Sequence, residues 1–354
     1  MNGIVRHMKL ALTLLFSAAV QAGAQSQPAA SPAATSSSTA AAVPAAPASN
    51  IPELPPADPK NFTAESPKPE TVDAFLHQVW GYDPNRTWRV AGVQTTAAPG
   101  ILRVTVWVLE KAPGAQIQQM VFLVTPDGNH AIEGFNIISF GAKPFAANRE
   151  RFRSGAHGPY LGVANNDFEI VEFVDLQCPH CKVAQGIIDQ LAKDFPKAHI
   201  AVELFPIVNI HPSAYKAAKY AVCSQKTSNE AFFKYIREVF ETQEGLTPTT
   251  DDALLKAAAT RAGLDGGALA TYANSQAARD EVDAQMRLAV SAGVEQTPVL
   301  AVNGRVLPEF NSIPYDQLKS IVQYQATLDG VDSGATAETL APAKAQLELK
   351  NLPK

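Results

Sequence analysis

Two cysteines separated by two residues carry the strongest chemical signal in this chain of 354 residues: Cys178-Pro179-His180-Cys181. This spacing lets the two sulfurs form a reversible disulfide. An apolar run, residues 168–174, precedes the motif and a helical pattern follows it, so Cys178 is expected at a helix N-terminus. The partial positive charge there stabilises a thiolate, and Pro179 and a protonated His180 add to the effect. We therefore predict that Cys178 is the nucleophile, with a pKa below the ordinary value of about 8.5.

Half of a zinc site is the alternative interpretation of two cysteines at this spacing, and it requires two further ligands. The only other cysteine is Cys223, and the seven histidines show no paired spacing. The sequence therefore favours a redox pair, with neither a metal nor a cofactor. Cys223 lies in an alanine-rich helical pattern, where it is expected to pack as a small apolar side chain; a regulatory or intermolecular thiol is the alternative.

Residues 171–181 resemble the active-site segment of the DsbA-type thiol:disulfide oxidoreductases of the thioredoxin superfamily, and they share its Pro-His dipeptide. Residues 293–304 resemble the cis-proline loop of the same family and the strand that follows it. The resemblance implies that Pro298 is a cis-proline facing the disulfide. It also implies that Thr297 contacts the substrate backbone and tunes the redox potential.

Glu172, six positions before Cys178, occupies the position of the family's buried acidic residue. A buried carboxyl has a raised pKa, so Glu172 could relay protons to Cys181. The alternative is a solvent-facing glutamate. His211-Pro212, which also resembles a feature of DsbA-like proteins, is expected to cap a helix rather than to take part in chemistry.

The N-terminus reads as a secretory signal peptide, with Arg6 and Lys9 before an apolar run at 10–20 and a small-residue cleavage site at 22–24. We therefore expect export to a bacterial periplasm, or secretion, where disulfide chemistry persists. Three cysteines are too few to stabilise a chain of this length by disulfides, so we expect them to take part in chemistry rather than to hold the fold. A net charge of −5 gives no electrostatic footprint for nucleic acid.

A small α+β module is predicted before the catalytic part of the chain. Apolar residues recur at helical spacing over 72–79, alternating patterns follow at 88–93 and 101–108, and Asp127-Gly128 marks a hairpin. The hairpin is similar to one in the N-terminal dimerisation domain of DsbC and DsbG, the isomerase branch of the superfamily. The resemblance implies a possible homodimer; otherwise the module is a β-rich appendage.

The stretch between Cys181 and Pro298 is far longer than the single helix and strand that a bare thioredoxin core needs, and its periodicity is helical. We predict an α/β, thioredoxin-like fold with a helical insertion, preceded by the α+β module. The predicted segments are a signal peptide at 1–24, an Ala/Pro/Ser-rich disordered linker at 25–66, the module at 67–142, a connector at 143–165, the catalytic domain at 166–330 with its insertion at about 208–292, and a tail at 331–354.

The low pKa expected for Cys178 favours an enzyme that introduces disulfides, because a stable thiolate makes reduction of the enzyme favourable. Its expected partners are folding exported proteins with free thiols and, by resemblance, a membrane redox partner of the DsbB kind. Two alternatives stay open at this point. One is a dimeric isomerase or reductase that is kept reduced, and the other is a thioredoxin-fold chaperone without redox chemistry.

Overall fold

A computed structural model describes residues 51–112, 114–134, 136–164 and 166–335. The predicted signal peptide, most of the predicted linker and most of the predicted tail lie outside these residues. Within the described part of the chain, no helix is long and apolar enough to cross a membrane.

The N-terminal third of the described chain is mainly one helix packed on an antiparallel sheet. Pro69 begins the helix, and Val72, Phe75, Leu76 and Val79 are buried against the sheet, as their spacing predicts. Gly128 adopts a positive φ of 66° in the hairpin turn, a conformation that glycine accepts without strain. The sheet has the order β1-β2-β3-β4-β5. The elements are α1 (Pro69–Trp80), β1 (Arg86–Thr95), β2 (Leu102–Glu110), β3 (Gln118–Val124), β4 (His130–Glu133) and β5 (Asn136–Ser139).

The predicted connector at 143–165 is more than a link, which differs from the sequence prediction. It contains helix α2 (Ala146–Gly155) and strand β6 (Tyr160–Gly162). β6 pairs with a strand of the second sheet, so the catalytic domain begins earlier than predicted. Both elements escaped detection because α2 buries only Phe152 and β6 is three residues long.

The second sheet has five strands in the order β10-β9-β7-β8-β6, with β7 and β8 parallel and the other pairs antiparallel. Helices α3 and α9 cover one face of this sheet, and α2 and α8 cover the other. A layer of helices on each side explains why the central strands are buried throughout. The elements are β7 (Glu169–Val174), α3 (Pro179–Asp194), β8 (His199–Leu204), β9 (Val299–Val302), β10 (Arg305–Pro308) and α9 (Tyr315–Leu328).

Five helices between β8 and β9 form the predicted insertion and enclose their own core, with Phe232, Ile236 and Val239 at its centre. The apolar periodicity predicts four of them, over 212–224, 229–242, 250–262 and 277–292, and the structure confirms these. The fifth, Gly266–Ala273, was missed because it is short and begins with two glycines; its signal is Asp265, whose side chain caps it. The helices are α4 (Ala214–Gln225), α5 (Asn229–Thr242), α6 (Asp251–Arg261), α7 (Gly266–Ala273) and α8 (Gln276–Ser291).

The two sheets are joined at the C-terminal end of α1. Arg305 on β10 is buried and donates hydrogen bonds to the carbonyl oxygens of Gln78 (3.3 Å) and Val79 (2.8 Å). Tyr324 on α9 donates to the carbonyl of His77 at 3.0 Å. Because the last carbonyls of a helix have no partner within it, these side chains cap α1 and fix it to the second sheet.

Candidate active site

The two cysteines lie where β7 gives way to α3. Cys178 is the N-cap of α3 in an extended conformation, Pro179 is the first helical residue and Cys181 lies in the first turn. The backbone amide of Cys178 donates to the carbonyl of Asp175 at 3.1 Å, which closes the turn between strand and helix. Both cysteines are free thiols, so this is the dithiol state.

The pKa of Cys178 is lowered to about 6. The main cause is the Cys181 side chain, which donates a hydrogen bond to the Cys178 sulfur. Burial opposes the shift, while the backbone amides of Cys181 and His180 at the helix N-terminus support it. The side chain is only 4% exposed, and its Sγ lies 3.6 Å from the carbonyl oxygen of Thr297. A thiolate is therefore held in a nearly closed site at neutral pH.

Cys181 has the opposite environment. It is fully buried, and its pKa is raised well above the ordinary value, first by burial and then by its interaction with Cys178. The backbone amide of Asp175 donates to its Sγ at 3.4 Å and opposes the shift. The two sulfurs therefore differ in charge at neutral pH: Cys178 is mainly a thiolate and Cys181 a thiol.

Pro298 and Thr297 close the site on the side of β9. The Thr297–Pro298 peptide bond is cis, as the resemblance implied. Pro298 is buried, Thr297 is partly buried, and the carbonyl of Thr297 faces the Cys178 sulfur. That Thr297 binds the substrate backbone stays a prediction.

Glu172 lies under the site with no exposed surface, which excludes the solvent-facing alternative. Burial raises the pKa of its carboxyl to about 8, although the Gln185 side chain, which donates to Glu172 Oε1 at 3.1 Å, lowers it. The same Gln185 nitrogen lies 3.4 Å from the carbonyl oxygen of Cys181. Glu172 therefore holds a proton at neutral pH close to Cys181, as a relay requires; the relay itself stays a prediction.

The side chains of Pro179 and His180 are exposed, unlike the other predicted site residues. His180 acts on Cys178 through its backbone amide, which helps to lower the cysteine pKa. The prediction had assigned this effect to the imidazole charge. The structure thus brings Cys178, Cys181, Thr297, Pro298 and Glu172 together and leaves the other two side chains facing solvent.

Two further residues beside the cysteines had no predicted role in the site. Asp175 is buried at the end of β7, and His211 Nδ1 lies 2.8 Å from its Oδ2. The prediction treated His211 only as a helix cap. An aspartate at the end of an otherwise apolar strand, three positions before the first cysteine, is the signal that could have identified this pair.

Comparison with known proteins shows what part of this chain is similar to. Residues 155–324 match the family model described as Thioredoxin, which includes both cysteines, the cis-proline and the helical insertion. No curated protein matches the chain.

Solved structures similar to this chain include three from bacteria. A periplasmic thioredoxin-like protein from Salmonella enterica serovar Typhimurium is 18% identical over 51% of this chain and 97% of its own, with a TM-score of 0.44. The thiol-disulfide exchange protein alpha-DsbA2 from Wolbachia pipientis is 20% identical over 50% and 94%, with a TM-score of 0.44. ScsC from Proteus mirabilis in a transitional conformation is 19% identical over 51% and 81%, with a TM-score of 0.43.

Residues 155–324 therefore form a thioredoxin-like domain. Its sheet topology and the family model agree on this point. A Cys-x-x-Cys pair at the start of α3, a cis-proline beside it and a buried glutamate beneath it make up the candidate active site.

Proposed function

We propose that the protein is an exported thiol:disulfide oxidoreductase that introduces disulfides into folding proteins. The observation that carries this proposal is the contrast between the two sulfurs. The pKa of Cys178 is lowered to about 6, whereas that of Cys181 is raised well above its ordinary value. One sulfur is thus a good leaving group, and the other is protected from solvent.

The reaction follows from thiol–disulfide exchange. A substrate thiolate attacks the Cys178 sulfur of the oxidised enzyme, the Cys178–Cys181 bond breaks, and its electron pair goes to Cys181, which takes up a proton. A second thiolate of the substrate then attacks the substrate sulfur of the mixed disulfide, and Cys178 leaves as a thiolate. The substrate is oxidised by two electrons, and the enzyme becomes a dithiol.

The direction of the reaction follows from the stability of the thiolate. Interactions that stabilise the Cys178 thiolate stabilise the reduced enzyme and make its disulfide more oxidising. The first turn of α3 supplies these interactions through the Cys181 thiol and two backbone amides. An oxidase is therefore favoured over a reductase.

Exposed apolar side chains near the site support unfolded polypeptides as substrates. Val183 on α3 is 66% exposed, two residues beyond Cys181, and Val208 and Ile210 are exposed in the loop after β8. This loop is anchored to the site because the Ile207 amide donates to Asp175 Oδ2 at 2.8 Å. Folding chains present apolar segments that such a surface can hold, whereas most folded proteins do not.

The setting of the reaction is part of the proposal. The signal peptide predicted at residues 1–24 indicates export to an oxidising compartment, most simply a bacterial periplasm. Each turnover leaves a dithiol, so the enzyme needs an oxidant for reuse. We propose a membrane redox partner of the DsbB kind for this role.

A dimeric isomerase or reductase is the second candidate, and one surface favours it. On β3 and β5 the side chains of Val121 and Ile137 are exposed on the face turned away from α1, beside the partly buried Leu123 and Ile132. A second copy could cover this apolar face. Light scattering on the purified protein separates the candidates, because a monomer contradicts the dimeric isomerase.

A trapping experiment tests the oxidase proposal. In a Cys181→Ser variant the mixed disulfide at Cys178 cannot be released by Cys181. After activation with a disulfide reagent, the variant should therefore accumulate an adduct with an unfolded model protein that has a single cysteine, because neither Cys181 nor a second substrate thiolate can release it. Cys223→Ser is the matched control, because this third thiol is partly buried and packs against the core of the insertion. Failure of Cys181→Ser to form the adduct contradicts the proposal, as does full activity of a Cys178→Ser/Cys181→Ser variant, which instead supports the chaperone.

A further inference from the structure

The backbone of Asp175 contacts both cysteines. Its amide donates to Cys181 Sγ at 3.4 Å, and its carbonyl accepts from the Cys178 amide at 3.1 Å. The orientation of this one residue therefore sets the position of both sulfurs at the N-terminus of α3.

The side chain of Asp175 makes three polar contacts. Its Oδ1 accepts from the Gln177 amide at 2.7 Å. Its Oδ2 accepts from the Ile207 amide at 2.8 Å and lies 2.8 Å from His211 Nδ1. The side chain has no exposed surface, so this carboxylate is buried among its partners. It joins the end of β7 to the loop after β8.

A buried carboxylate is unfavourable beside sulfurs that carry negative charge. Burial of an ion costs several kcal/mol unless charge or hydrogen bonds compensate it, at about the scale seen for buried ion pairs. The reaction adds charge here, because the electron pair of the broken disulfide goes to Cys181. His211 lies against the carboxylate, with Nδ1 2.8 Å from Asp175 Oδ2, and its side chain is 16% exposed.

We propose that Asp175 and His211 form a positioning pair that holds the Asp175 amide against Cys181 while Cys181 leaves. This inference rests on the proposed thiol–disulfide exchange. Neither side chain touches the substrate or receives electrons. The pair acts through the Asp175 backbone, whose amide contacts the Cys181 sulfur.

The test is the rate at which reduced glutathione reduces the oxidised full-length mature protein, followed by acid quench, alkylation and mass spectrometry. His211→Ala should slow the reaction about tenfold or more, and tenfold corresponds to about 1.4 kcal/mol of activation free energy. In an Asp175→Asn background the same change should have an effect of less than about twofold, because the two residues act as a unit.

The matched control is Tyr315→Phe. Tyr315 donates to the Asp194 carboxylate at 2.8 Å at the other end of α3, so this variant loses a similar hydrogen bond far from the cysteines. Its rate should stay within about twofold of the wild type. A purely structural effect on α3 would slow this variant as well.

The outcomes separate the inference from the proposed function. Two results would refute the positioning pair while the oxidoreductase stands. In the first, the wild type reacts and the rate of His211→Ala stays within about twofold of it. In the second, His211→Ala slows the reaction equally in the Asp175→Asn background. If the oxidised wild type does not react with glutathione, both the positioning pair and the proposed oxidoreductase are refuted. Should His211→Ala fail to fold, His211→Asn decides. Its side-chain amide can keep a hydrogen bond to Asp175, so this variant should react within about twofold of the wild type, and a slowing as large as that expected for His211→Ala would refute the pair.

Discussion

Glu172→Gln should make the protein more stable relative to the wild type as the pH rises. The pKa of Glu172 is raised from an ordinary 4.5 to about 8 because the carboxyl is buried, so between these values the folded state binds a proton that the unfolded state lacks. Stability must then fall with rising pH over this range. The glutamine side chain of the variant has nearly the same shape and can still accept a hydrogen bond from Gln185. Because it does not titrate, the stability of the variant does not fall with rising pH for this reason.

The magnitude follows from the two pKa values. Each pH unit of difference corresponds to about 1.4 kcal/mol. The unfolded carboxyl is already partly ionised at pH 5, so the full difference between the two pKa values does not count. The free energy of unfolding of Glu172→Gln minus that of the wild type should therefore rise by about 2.5 kcal/mol between pH 5 and pH 7.

Urea unfolding of both proteins across this pH range measures the difference. Glu230→Gln is the control. Glu230 is exposed, and its pKa is lowered from 4.5, first by a hydrogen bond from Lys234, so its contribution to stability is complete above pH 4.5. The stability difference between Glu230→Gln and the wild type should therefore stay constant from pH 5 to pH 7. A difference between Glu172→Gln and the wild type that does not change from pH 5 to pH 7 would refute the assignment of a buried, protonated carboxyl.

Three further predictions concern the sulfur, the junction of the two sheets and one close backbone contact. Alkylation of reduced Cys178 should rise with a midpoint near pH 6, and a midpoint near the ordinary cysteine value contradicts the helix N-terminal site. Arg305→Met should lower the free energy of unfolding by about 3 kcal/mol and speed amide exchange at the end of α1, because charge-assisted hydrogen bonds to two buried carbonyls are lost. In Gly158→Ala the new Cβ would lie 1.9 Å from the Val202 carbonyl oxygen, which should cost more than about 3 kcal/mol in urea unfolding. The control Gly186→Ala, on the exposed side of α3 with nothing within 4 Å, should instead stabilise by about 0.5–1 kcal/mol.

The elements with strong periodicity could be predicted from the sequence. α1, α5 and α9 each bury a regular apolar stripe, and the alternating patterns at 88–93 and 101–108 lie in β1 and β2. α2 and β6 could not, because α2 is stabilised by a single buried phenylalanine and β6 by pairing with β8. Their stability comes from tertiary contacts, which a local pattern does not contain.

The cysteine pair and its neighbours were predicted because a motif defines them. Cys178 and Cys181 follow from spacing, and Thr297, Pro298 and Glu172 from a family resemblance. The exposure of the His180 side chain could not be predicted, because it depends on how the first turn of α3 faces solvent.

Residues that act from separate elements were not predicted at all. Glu203 on β8 is buried, accepts from the Gly158 amide at 2.7 Å and has its pKa raised to about 8 by burial. Arg305 and Asp175 are likewise buried polar residues whose partners are distant in sequence or contributed by a loop. A polar residue within an apolar strand marks such a site, but only the fold identifies its partners.

The reduction potential of the Cys178–Cys181 pair tests the central claim most directly. The purified mature protein would be equilibrated with glutathione buffers, and the oxidised fraction measured by alkylation. The low pKa of Cys178 predicts a value towards the oxidising end of the family range, about −120 mV. A value near about −270 mV, where thioredoxin lies, would mean that the protein is a reductant and would contradict the proposed oxidase.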